Sequence, residues 1–119
     1  MHKLSSFHKG IYAESKAESY LKNHGFNILY KRYKTPYGEI DLIALKIDLL
    51  LFVEVKNRKN IPNYDFILTK QKKRCCNAAQ MFLANNTEYS NFNMRFDCIY
   101  IDKNSIITHI ENAWDNFEQ

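Results

Sequence analysis

Glycine and proline are scarce, with three and two in 119 residues. That scarcity excludes collagen-like and low-complexity chains and leaves regular elements joined by short turns. Long apolar runs are missing as well. The longest is Leu49 to Val53, pinned between Asp48 and Glu54, whereas a membrane-spanning helix needs about 20 apolar residues. The first ten residues, MHKLSSFHKG, carry charge but no apolar stretch of signal-peptide length, so neither membrane nor export is expected. There are only three cysteines, two of them adjacent (Cys75 and Cys76), and no Cys-x-x-Cys. An odd count in that pattern rules out a disulfide framework and suits a reducing cytoplasm. A glycine-rich phosphate loop and a Gly-x-Ser-x-Gly elbow are both absent, which excludes P-loop hydrolysis and that esterase type. The histidines, His2, His8, His24 and His109, show no common spacing or expected shared face, so a zinc site is not expected.

What is present is ordinary in amount and uneven in placement. Apolar residues make up 45% and charged residues 25%, as in a globular chain. The length fits one domain over residues 1–119, with its core at about 6–113. The net charge of +4 hides a strong gradient. Residues 1–34 carry +5, Lys56 to Arg74 carry +6, and residues 84–119 carry −4. Two basic segments point to a phosphate-rich partner, although a solvated surface accounts for the charge alone equally well.

Hydrophobic periodicity orders the chain. A helix is expected from Ser6 to His24, with Ser5 or Ser6 as cap, a stripe of Gly10, Ala13, Ala17, Tyr20 and Leu21, and Gly25 as its left-handed end. Phe26 to Tyr33 reads as a strand and Thr35-Pro36-Tyr37-Gly38 as a turn. Glu39 to Lys46 and Leu49 to Asn57 form a hairpin through Ile47-Asp48. After a loop over Arg58 to Leu68, Thr69 caps a second helix running to Ala84, with Cys75, Cys76, Ala79, Phe82 and Leu83 inward. A polar connection leads to a strand over Met94 to Ile101, a further strand over Ser105 to Ile110, and a short terminal helix. The order αβββαβ(β) makes an α/β (α+β) three-layer domain, with a mixed sheet between helices.

The chemistry lies in charges inside the two central strands. Residues two apart share a strand face, so Glu39 aligns with Asp41 and Glu54 with Lys56, while Leu51, Val53 and Val55 make the opposite, apolar face. Pairing of the two strands sets Asp41 beside Glu54, and adjacent carboxylates repel unless a cation or a proton intervenes. A hard divalent cation with a neighbouring Lys is an arrangement suited to phosphodiester chemistry. Glu14 borders the apolar stripe of the first helix, with Glu18 further out, and Lys72 lies on the sheet-facing side of the second. Such charges also occur on solvated strand faces; it is their convergence from four positions that favours a site. Cys98 reads as core.

These residues carry a family resemblance. Gly38-Glu39-Ile40-Asp41-Leu42-Ile43-Ala44 followed by Phe52-Val53-Glu54-Val55-Lys56 resembles the PD-(D/E)XK nuclease superfamily. Within it the chain is similar to the YraN-like family (uncharacterised protein family 0102), which resembles archaeal Holliday-junction resolvases. The likeness runs from about Gly10 to Ala113 and includes Gly10-x-x-x-Glu14-x-x-Ala17-x-x-Tyr20-Leu21, Gly25-Phe26-x-Ile28-Leu29, Thr69-x-x-Lys72 and Arg95-Phe96-Asp97. It implies a restriction-endonuclease-like domain and a Mg²⁺- or Mn²⁺-dependent endonuclease acting on DNA, with branched or damaged forms as candidate substrates, RNA left open, and repair or recombination as its setting. Carried over by position, Asp41, Glu54 and the Val55 carbonyl would ligate the metal, and Glu14 would complete its shell through water. Lys56 would orient the attacking water or steady the phosphate, with Glu39 and Lys72 behind. Arg58, Lys59, Lys70, Lys72, Lys73, Arg74 and Arg95 would track the nucleic acid. Asn57 stands where Thr is usual, Ala13 where Gly is usual, and Pro62-Asn63-Tyr64-Asp65 in place of a glycine-containing loop. A homodimer is expected because symmetric cutting of two strands needs two sites. The alternative is a nuclease-fold binding module with little catalysis of its own.

Overall fold

The computed structural model describes residues 6–57 and 69–114. Helix α1 (Ser6–Asn23) is followed by strands β1 (Asn27–Thr35), β2 (Gly38–Lys46) and β3 (Leu49–Asn57). Helix α2 (Thr69–Asn85) and a 3₁₀ turn (Thr87–Tyr89) then lead to β4 (Asn93–Ile101) and β5 (Ile107–Trp114). The five strands lie in chain order in one sheet. Three neighbouring pairs are antiparallel, and β3 with β4 is parallel. A parallel pair needs a crossover, and α2 lies on that connection. The sheet is therefore mixed and the domain is α+β, as the periodicity predicts.

Each face of the sheet takes one helix. Ala13, Ala17 and Leu21 pack on Leu42, Leu51, Val53 and Ile99. Cys75, Cys76, Ala79 and Phe82 pack on Ile40, Phe52, Phe96 and Cys98. The small residues of α1 let its backbone approach the sheet, while Phe82 fills the other layer with ring contacts to Phe52, Tyr30 and Tyr33. Gly25, with φ of 89°, ends α1 in the left-handed conformation. All three cysteines are buried and free.

β5 departs from expectation. It starts later and runs to Trp114 where the sequence suggests a short helix, and residues 115–119 lie outside the described part. The register slips between Phe96 and Cys98, and Asn112 takes a φ of 53°. This bulge turns Trp114 inward to stack on Phe96 with ring centroids 5.3 Å apart. The proposed helix cap Ser5 and the loop over Arg58 to Leu68 also lie outside the described residues.

Candidate active site

The site forms where β2 and β3 part. Their paired register extends from Lys46 opposite Leu49 to Leu42 opposite Val53. Beyond it a side chain takes over: the Val55 N–H donates to Asp41 Oδ2 at 2.8 Å. One step past the last paired residues, Leu42 and Val53, Asp41 and Glu54 stand beside each other at the end of the register. Lys56 Nζ lies 3.3 Å from Glu54 Oε1 and donates to Gln71 Oε1 at 3.1 Å, so the strand lysine is anchored to α2. The strand alternation that aligned Glu54 with Lys56 is thus realised as an ion pair.

From the other side of the sheet, Glu14 of α1 accepts a 2.7 Å hydrogen bond from Arg32 Nε. Glu14, Arg32, Lys34, Glu39, Ile40 and Asp41 line one cleft of about 140 Å³. Glu39 and Asp41 therefore share a cleft, as their spacing predicts. Glu18 does not join them; it pairs with Lys22 and Lys31. Lys72 is half-buried, whereas Lys70, Lys73 and Arg74 are exposed. Arg58 and Lys59 lie outside the described residues.

Electrostatics sets these carboxyls apart. Burial, then the charge of Glu54, pushes Asp41 up to about 7 against the opposing Val55 hydrogen bond. Glu54 is raised by burial too, with Lys56 opposing. Burial, then the charge of Glu54, also lifts the Cys75 thiol of α2. Two buried carboxyls set side by side share a proton or need a cation between them. Their hard oxygens fit Mg²⁺ or Mn²⁺ rather than a softer metal. Among the described residues, however, no three His, Cys, Asp or Glu side chains already converge as a metal-holding group. Glu14, the expected third acid, is held by Arg32.

Arg95 is engaged by acidic neighbours. It grips the fully buried Asp97 through Nε at 2.8 Å and Nη2 at 2.9 Å, and also reaches Glu111. Asp97 further accepts from Asn112 N–H at 2.9 Å and meets His109 Nε2 at 2.6 Å. These bonds hold its carboxyl below the usual range despite burial. His24 and His109, expected to share no face, both contact Tyr20 and line one cleft of about 240 Å³. Their separation in sequence hides that meeting.

Comparison with known proteins settles the family. The model of uncharacterised protein family UPF0102 matches residues 13–101. The chain belongs to this family. A UPF0102 protein of Bradyrhizobium diazoefficiens is 41% identical over 95% of this chain and 86% of its own length. One from Nitrobacter winogradskyi is 40% identical, covering 95% of this chain and 97% of that protein. The matched span includes Glu14, Glu39, Asp41, Glu54, Lys56 and Lys72 of this UPF0102 chain. Among the described residues no helix is long and apolar enough to cross a membrane.

Sequence reasoning missed Arg32, Lys34 and Gln71. The first two stand in a run, Lys31 to Lys34, in which three cations surround one tyrosine and nothing marks one residue. Gln71 is a neutral helix residue whose partner lies 15 positions away.

Proposed function

We propose that this UPF0102 protein is a metal-dependent endonuclease that hydrolyses phosphodiester bonds in DNA, branched or damaged forms included. The observation that carries the reading is the placing of Asp41 beside Glu54 at the end of the β2–β3 register, with Lys56 3.3 Å from Glu54 and Asp41 raised to about 7. Asp41, Glu54 and the Val55 carbonyl are the oxygens that would hold Mg²⁺ or Mn²⁺, with Glu14 joining through water. A bound divalent cation supplies acidified water and neutralises charge on the phosphate. Lys56, fixed by Gln71, orients the attacking water or steadies the non-bridging phosphate oxygens. Glu39 adds negative charge at the cleft rim, which favours cation over anion at that spot.

A second reading, a nucleic-acid-binding module with little catalysis, draws on the Arg32–Glu14 pair, which ties up the third acid. One experiment separates the two. Labelled four-way junction, flap, duplex and single-stranded DNA, with an RNA strand alongside, are incubated with Mg²⁺, Mn²⁺ or EDTA. On the nuclease reading wild type cuts and EDTA stops it. Asp41→Ala and Glu54→Ala each lose at least about 100-fold in rate, the scale of losing electrostatic stabilisation, while still shifting the DNA. Cutting by both variants at the wild-type rate would sink the nuclease, and shifted bands without cutting by wild type would establish the binding module.

A further inference from the structure

The flank between β1 and α2 differs from the rest of the surface. These two elements carry seven Lys and Arg and no Asp or Glu. On the far side of the sheet, β4 and β5 carry Asp97 and Glu111 against Arg95 alone. An open groove of about 360 Å³ lies against α2, lined by Tyr37, Asn77, Gln80, Met81 and Ala84. Its wall is apolar and amide-bearing, and Tyr37 is 63% exposed.

The turn that presents Tyr37 is fixed in place. Thr35 Oγ1 donates to the Gly38 carbonyl at 2.8 Å and accepts from the N–H groups of Tyr37 and Gly38. Gly38 also sits so close to α2 that a Cβ there would lie 1.9 Å from the Arg74 carbonyl oxygen. A ring held out on a braced turn pays little entropy when something stacks on it. Further along β1, Tyr30 is 45% exposed and packs edge-on against Phe82.

We infer that this groove binds an unpaired nucleic-acid strand, with a base stacked on Tyr37 and its phosphates on Lys34, Lys73 and Arg74. The clustered cations favour a polyanion, and the apolar wall decides which form. A duplex turns phosphates and sugars outward and would set them against Tyr37, Met81 and Ala84. An unpaired strand offers a π-face to the ring and its charge to the rim. The turn that presents Tyr37 runs directly into the wall of the acid cleft: Gly38 precedes Glu39, which lines that cleft together with Lys34. The inference rests on the nucleic-acid part of the reading above and adds the form of the substrate and where it enters.

The test is fluorescence anisotropy in EDTA, which makes it independent of cleavage. The probes are an oligothymidylate of about 16 nucleotides and a duplex of equal length. The single strand is expected to bind more tightly than the duplex. Tyr37→Ala is expected to weaken single-strand binding about tenfold, as loss of one stacked base does, and to leave duplex binding unchanged, while Tyr37→Phe retains wild-type affinity. Lys34→Ala and Lys73→Ala are each expected to flatten the salt dependence by about 0.7 in slope. Equal affinity for duplex and single strand, or an unmoved Tyr37→Ala, would overturn the inference. So would a Tyr37-dependent dimer in sedimentation with no strand bound, which would make the groove a self-interface. Metal-dependent cutting without this binding leaves the nuclease standing and sinks the groove; strand binding without any cutting does the reverse.

Discussion

Arg32 is the residue whose conformation most needs a reason. It lies within β1 with φ of 53°, a region uncommon for a side chain of this kind. Its neighbours pair with Leu42 and Ile40, which sets it across from Asp41. The backbone outlier sends a guanidinium to Glu14, whose hydrogen bond and charge hold its proton more firmly, with the charges of Asp41 and Glu39 adding to them. Arg32 is thus the counter-ion of the acid cleft, and strained residues of this sort gather at functional sites. If a divalent cation uses Glu14, it must take that carboxylate from Arg32. Arg32→Asn tests this, since Asn accepts the left-handed backbone and carries no charge. Calorimetric titration with Mn²⁺ is expected to show tighter binding by Arg32→Asn than by wild type, and Glu14→Gln is expected to abolish the difference. Equal affinities would show that Glu14 takes no part in holding the ion. Nothing in Tyr30-Lys31-Arg32-Tyr33-Lys34 singles out this arginine in sequence, because a local backbone irregularity leaves no periodic trace.

At the scale of elements, the braced contact between the β1–β2 turn and α2 controls the site. Through it the first turns of α2 are held where Gln71 can accept from Lys56. Gly38→Ala places a methyl group against the backbone carbonyl of Arg74, and a backbone atom cannot swing aside. The helix must shift, at a cost of about 1–3 kcal/mol for such overpacking, read as a lower urea midpoint at unchanged m-value. A loss below about 0.5 kcal/mol, the scale of an ordinary surface change, would show that this helix end moves freely. The elements themselves were readable because each carries its own period: Ala13, Ala17 and Leu21 for α1, Leu51 and Val53 against Glu54 and Lys56 for β3. The hairpin placed Asp41 beside Glu54 for the same reason. What could not be read were the irregularities, Asn112 in β5 and Arg32 in β1, which break the alternation that makes strands legible. The polar stretch Glu111-Asn112 suggested a strand end, yet it is the bulge that carries Trp114 into the core.

At the scale of the whole molecule, four acids with displaced titration form two opposed pairs whose contributions to stability follow pH in opposite directions. Asp97 and Glu18 are held below the ordinary carboxylate range by their ion-pair and hydrogen-bond partners, which outweigh burial. Their contribution is present at neutral pH and is lost as pH falls through their lowered values. Asp41 and Glu54 are shifted upward. For such groups the folded state binds more protons than the unfolded chain, so stability falls as pH rises. For Asp41 that window runs from the ordinary carboxylate value near 4 to about 7. In EDTA the wild type is therefore expected to be most stable in mild acid and to lose melting temperature between about pH 5 and pH 8. Asp41→Asn removes a charge that the fold disfavours and is expected to flatten that decline, melting above wild type at the alkaline end. On the metal reading, Mn²⁺ then raises the alkaline melting temperature of wild type more than that of Asp41→Asn, because a cation settles the same repulsion that a proton does. A wild-type profile that stays level across this range, or an Asp41→Asn profile that declines equally, would place the alkaline loss elsewhere and leave the carboxyl pair without the strain that marks it as a site.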